Sequence, residues 1–286
     1  MKFAHVVDYI YLTLISTLSQ FLVLFGPILL LALIMNIISR HSEKIGCKAL
    51  GVNTYLYIFK WLGTTVHETG HALFAIIFGH KITEIVLFSP KSQNGSFGHV
   101  AHTYNRKNIY QNIGNFFIGI GPVISGSLIL LLITWILFGF NLFNTQNTHP
   151  INLSAGVFPD FHILKTIALN TWDNLLSYLQ RILRNSHNAW WKIVLLVYFL
   201  YSVGSSVTLS PSDAKGAAKG LLYTVAILLI FNLFTIWIGD FAISFFTHVN
   251  NSLSQLYFLL LLTMAINIVF ILILHSIILL KSIFTP

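Results

Sequence analysis

From Tyr9 to Ser39 the chain carries not one charged side chain. A helix of about 20 apolar residues already crosses the roughly 30 Å hydrocarbon layer of a bilayer. Backbone amides in lipid must bond internally, so such a run has to be helical. Apolar runs recur at about 53–78, 116–138, 189–209, 220–239 and 256–280. With the first span at about 10–38, they predict an all-α membrane protein. The expected architecture is a polytopic bundle of about six transmembrane helices in one domain, residues 1–286. The pair Gly26-Pro27 is expected to kink the first span, and a short basic loop with Arg40, Lys44 and Lys48 is expected after it.

Composition agrees with that class. Only 8% of residues are charged and 56% are hydrophobic, against about 25% charged in a soluble domain. So few charges cannot cover a water-facing surface. The net charge of +8 comes from Lys and Arg in the breaks between apolar runs. That placement points to anionic lipid headgroups, not nucleic acid. These residues divide almost evenly between the two sides, so they do not set the orientation. The single cysteine, Cys47, excludes an internal disulfide and a Cys-based zinc site. The uncharged run near the N-terminus is too long for a cleavable signal and reads as a first span.

One span differs from the others. Within Tyr55 to Phe78 stands His67-Glu68-Thr69-Gly70-His71, an H-E-x-x-H motif. On a helix the two histidines lie one turn apart and project from one face. Their ring nitrogens can then reach one zinc ion at about 2.0–2.1 Å. Glu68 lies about 100° around the helix from His67, close enough to take a proton from a water held by the metal. Two satisfied histidines beside a buried glutamate would be the plainer reading. Three ionisable groups in one turn at membrane depth are costly, however, and such groups are functional by default.

After this span, Lys81 to Phe88 is rich in β-branched and aromatic residues, Asn94-Gly95 is a turn signal, and Ser96 to Tyr104 can return as a second strand. A small β-hairpin is expected, with an edge able to accept an extended peptide; a plain interfacial loop is the competing expectation. The segment Trp172 to Leu183 has helical apolar spacing and is expected along the interface. The span at 116–138 contains Gly119, Gly121, Ser125 and Gly126, which allow another backbone to approach closely.

A third metal ligand has to come from elsewhere. Of the eight acidic residues, Asp8, Glu43, Asp160 and Asp173 fall in termini or loops and Glu84 in the expected hairpin. Asp213 sits in Leu209-Ser210-Pro211-Ser212-Asp213, where Ser210 as N-cap and Pro211 at the first helical position make a good helix start. It is a helix cap, a ligand, or both. Asp240, at the end of the fifth span, is the next candidate.

H-E-T-G-H-A-L inside a span, Gly79-His80-Lys81-Ile82 and a hairpin-like segment, then Gly121-Pro122 and a later Pro-x-Asp element, together resemble the site-2 protease family of intramembrane zinc metalloproteases. The likeness covers about 55–126 and 203–220. It implies zinc bound by His67, His71 and Asp213, with Glu68 activating water. The family's usual Asn-x-x-Pro-x-x-Pro-x-Asp-Gly is here Ser-Pro-Ser-Asp-Ala-Lys-Gly, the shorter form of a divergent branch. The family's Asn after Gly-Pro is Ser125.

The function expected is a zinc-dependent intramembrane endopeptidase cleaving a transmembrane segment of a membrane protein. By resemblance, a bacterial inner membrane is the expected location. Two alternatives remain open: a non-proteolytic zinc-binding membrane protein, and an ion or small-solute transporter using the buried His and Glu. His275 is the other ionisable residue within a span that a transporter could use.

Overall fold

The computed structural model describes residues 2–91, 96–139, 161–186, 189–236 and 241–284. Its helices are α1 (Lys2–Leu50), α2 (Val52–Tyr55), α3 (Trp61–Ile77), α4 (Ile109–Phe138), α5 (Phe161–Asn185), α6 (Trp190–Ser202), α7 (Pro211–Thr235) and α8 (Phe241–Phe284). A π turn, Leu56–Lys60, joins α2 to α3, and a 3-10 turn, Gly204–Ser206, follows α6. Strands β1 (Lys81–Val86) and β2 (His99–Thr103) pair antiparallel, from Lys81 opposite Thr103 to Val86 opposite His99. The all-α membrane class with one small hairpin is therefore the observed architecture. The Asn94-Gly95 turn lies outside the described residues.

Among the described residues, four helices are long and apolar enough to cross a membrane: Val6–Leu50, Ile109–Phe138, Pro211–Thr235 and Leu256–Ile283. The other two expected spans take different forms. The second is helical from Val52 to Ile77 but widens at Leu56–Lys60. A π turn leaves carbonyls poorly paired, and α6 covers two of them: Tyr198 Oη donates to Ile58 O at 2.8 Å and Ser202 Oγ to Phe59 O at 2.6 Å. The fourth, expected over 189–209, is helical only to Ser202. Its 13 residues reach about 20 Å, short of the roughly 30 Å layer. Gly204, Ser205 and Ser206 then tighten the chain, and Pro211 ahead cannot continue a helix from that side.

One local expectation about α1 is corrected. The basic loop at 40–48 is helix: Gly46 is accommodated within it against Tyr55, and α1 ends only before Gly51, where φ is 87°. The helix also runs continuously through Pro27. Proline lacks the N–H that would bond the carbonyl four residues back, Val23. Tyr257 of α8 brings its hydroxyl to 3.4 Å from Val23 O and 3.3 Å from Leu24 O.

α4 lies at the centre, packed against α3 on one side and α7 on another, while α1 packs along α8. The core joins Phe116, Leu130, Leu200, Tyr257 and Phe258, all nearly inaccessible. The longer-than-expected α5 buries Ile163, Ile167, Tyr178 and Ile182, and Tyr178 Oη lies 3.0 Å from Thr134 Oγ1 of α4.

Candidate active site

The motif helix ends where its sequence says it should. Gly79 takes φ 67°; its N–H bonds Ile76 O at 3.0 Å and that of His80 bonds Ala75 O at 2.8 Å. This Schellman closure needs a residue free to adopt left-handed φ, and it turns the chain directly into β1. Upstream, α3 presents His67, Glu68 and His71 to a cavity of about 900 Å³.

The cavity brings the motif together with Asp213. His71 Nε2 lies 3.2 Å from Asp213 Oδ1, His67 Nε2 3.6 Å from Oδ2, and the two Nε2 atoms are 3.2 Å apart. A tetrahedral zinc site with bonds of 2.0–2.1 Å places neighbouring ligand atoms about 3.3 Å apart. The hydrogen bonds on the far sides of the rings decide what these atoms are. His67 Nδ1 meets Ser206 O at 2.7 Å and His71 Nδ1 meets Ile118 O at 2.8 Å. A carbonyl only accepts, so both Nδ1 atoms carry hydrogen, and in the neutral form of each ring Nε2 offers its lone pair. In that form two lone pairs and a carboxylate converge on one point. Such a set calls for a cation, and its atoms suit zinc.

Asp213 is a cap as well as a member of this cluster. Its backbone N–H is 3.2 Å from Ser210 Oγ, and Ser210 N–H donates to Oδ2 at 3.0 Å. This reciprocal capping box fixes the carboxylate at the head of α7 and leaves Oδ1 facing His71. Asp240 lies outside the described residues.

Glu68 is buried, yet lines the cavity beside the cluster. The approach to β2 passes over it: a Cβ on Gly98 would stand 2.7 Å from Glu68 Cγ and 2.9 Å from both Thr64 Cγ2 and Leu87 O. Ser125 is buried in the seam between α3 and α4, where its hydroxyl donates to Gly121 O at 2.9 Å.

Other residues at the site escape a motif search. The face Asn36, Ser39, Arg40, Glu43 of α1 lines the cavity, and Glu43 pairs with Lys60 at 2.8 Å. Their spacing of three, four and seven marks one helical face, which is the signal that a loop assignment hides. Nearby, His80 Nε2–H donates to Gln111 O at 2.8 Å, so His80 Nδ1 must accept from His102 Nδ1–H, 2.9 Å away. His102 therefore keeps an unprotonated Nε2. Burial above all, then the neighbouring His80, His71 and Lys219, lowers its pKa to about 4, and burial lowers that of His80. His102 lines the cavity; no sequence pattern singles it out.

No curated protein and no solved structure matches the chain. A family model, Peptidase M50B-like, matches residues 28–139, from within α1 to just past α4. The matched stretch holds the His-Glu-x-x-His helix, the hairpin and Pro122, and ends before Asp213. Residues 28–139 of this all-α membrane protein are thus similar to the Peptidase M50B-like family.

Proposed function

We propose that the chain is a zinc-dependent intramembrane endopeptidase that cleaves a transmembrane segment of another membrane protein. The observation that carries this reading is the convergence of His67 Nε2, His71 Nε2 and the Asp213 carboxylate beside Glu68 in one cavity. When bound there, zinc supplies a Lewis acid for the scissile carbonyl and brings the pKa of water towards about 7. Glu68 takes the proton of the attacking water and passes it to the departing amine nitrogen. His67 and His71 keep their Nδ1 atoms on backbone carbonyls throughout, so their orientation is set before substrate arrives. The polar face of α1 gives water a path to the cavity.

A helical peptide bond is shielded by its own turn, so the substrate segment must unwind locally. The hairpin, whose lead-in Phe97-Gly98 borders the cavity, offers an edge on which an extended segment can pair. The resemblance favours a bacterial inner membrane as the location, with the lipid bilayer as the surrounding partner.

Metal content of detergent-purified protein tests the reading. The wild type should hold about one zinc per chain, and His67→Ala and Asp213→Ala should lose it. Wild type without zinc under metal-replete conditions would sink it.

A further inference from the structure

Proline at 122 lies in the middle of α4, where a helix loses a hydrogen bond for it. The bond lost is the one from residue 122 to the carbonyl four residues back, Ile118. Ile118 is buried at 4% exposure, and an unpaired buried carbonyl is costly. The group that reaches it is the ring of His71, whose Nδ1 is 2.8 Å from Ile118 O.

The two helices are built to meet there. A Cβ on Gly70 would lie 2.8 Å from Pro122 Cα and 2.9 Å from Pro122 N, and one on Gly121 would lie 2.9 Å from Gly70 O. Glycine at both positions lets the interrupted turn of α4 dock against the motif helix one residue from His71. Among the described residues another mid-helix proline is treated alike: at Pro27 the freed carbonyl region is met by the Tyr257 hydroxyl, on α1 and α8. At Pro122 the donor is instead an imidazole of the candidate metal cluster.

We propose that Pro122 is a positioning residue for that cluster, keeping the Ile118 carbonyl open for His71 Nδ1–H and thereby aiming His71 Nε2 at Asp213 and His67. The proposal rests on the metal reading above. With alanine at 122, the restored amide N–H bonds Ile118 within the helix and competes with the ring. The ring is then free to turn or to carry its proton on Nε2, where it cannot ligate.

The test uses the full chain in detergent and three proteins: wild type, Pro122→Ala, and Pro27→Ala as the matched control. Zinc affinity is measured by competition with a chromophoric chelator, and site geometry by the visible spectrum of the Co²⁺-loaded protein. Loss of such an outer-shell partner weakens metal binding about 10–100-fold. Pro122→Ala should fall in that range, partway if the carbonyl accepts from both donors, and change the Co²⁺ bands; Pro27→Ala should do neither. Zinc affinity within twofold of wild type and an unchanged Co²⁺ spectrum in Pro122→Ala overturn the proposal alone. Wild type that takes up no metal overturns the metal reading and this proposal with it. If Pro122→Ala does not fold, ¹⁵N-histidine spectra of metal-free wild type decide: the Nδ1–H form of His71 supports the proposal, and a dominant Nε2–H form refutes it.

Discussion

The carboxylate of Asp213 stands 3.2 Å from His71 Nε2 while it closes the capping box at the head of α7. One side chain thus starts a helix and completes a cluster. The two roles separate by mutation. Ser210→Ala removes the hydroxyl that caps Asp213 N–H and should cost about 1 kcal/mol of stability with zinc retained. Asp213→Asn keeps a capping oxygen, so it should fold nearly as well and yet lose the metal. Thermal unfolding and metal content on the same samples check both; an Asp213→Asn protein with full zinc would refute the ligand role.

Glu68→Gln preserves the size of the side chain but cannot accept a proton. Cleavage of a membrane substrate should drop by at least the 10²–10⁴-fold typical of general acid–base catalysis, with zinc content unchanged. Turnover near the wild-type rate would show that another group moves the proton.

Gly98→Ala places a methyl group against Glu68, Thr64 and the Leu87 carbonyl, all within 3.0 Å. A backbone carbonyl cannot swing away, so β2 must shift. Overpacking of this kind costs about 1–3 kcal/mol. Activity should fall with the metal still bound, and amide exchange in the hairpin should quicken. Wild-type exchange rates would mean that the lead-in to β2 has room that the geometry denies.

His102 gives the hairpin a pH dependence of definite sign. Its pKa falls from an ordinary value of about 6.5 to about 4 in the fold, so the fold favours the neutral ring. The stability it contributes is whole above pH 6.5 and is lost as pH falls towards 4; the lowered His80 acts in the same direction. Amide exchange of β1 and β2 should accelerate across that window, and His102→Gln should flatten the response. An equal response in the variant would assign the effect to another group.

Much of this protein is legible in its residues because the relevant physics is local. Uncharged runs must be helical in lipid, His67 and His71 share a face because they are four apart, and Gly79 and Ser210-Pro211 mark helix ends by backbone conformation and capping. The misreadings have local causes too. Lys and Arg near 40–48 look like a loop when charge is weighed over periodicity, and an apolar run at 189–209 does not reveal that its last turn unwinds to face α3.

What the residues determined alone was the membrane class and a motif able to supply two ligands and a base; they left a hairpin and a plain loop both open after it. Only the tertiary structure set Asp213 against both histidines, the Ile118 and Ser206 carbonyls behind the two rings, and His80 against His102. Those pairings join segments many turns apart, and no periodicity specifies them. Helix packing does, where Gly70 and Gly121 let α3 and α4 touch, and it brings a carbonyl freed by Pro122 within reach of His71.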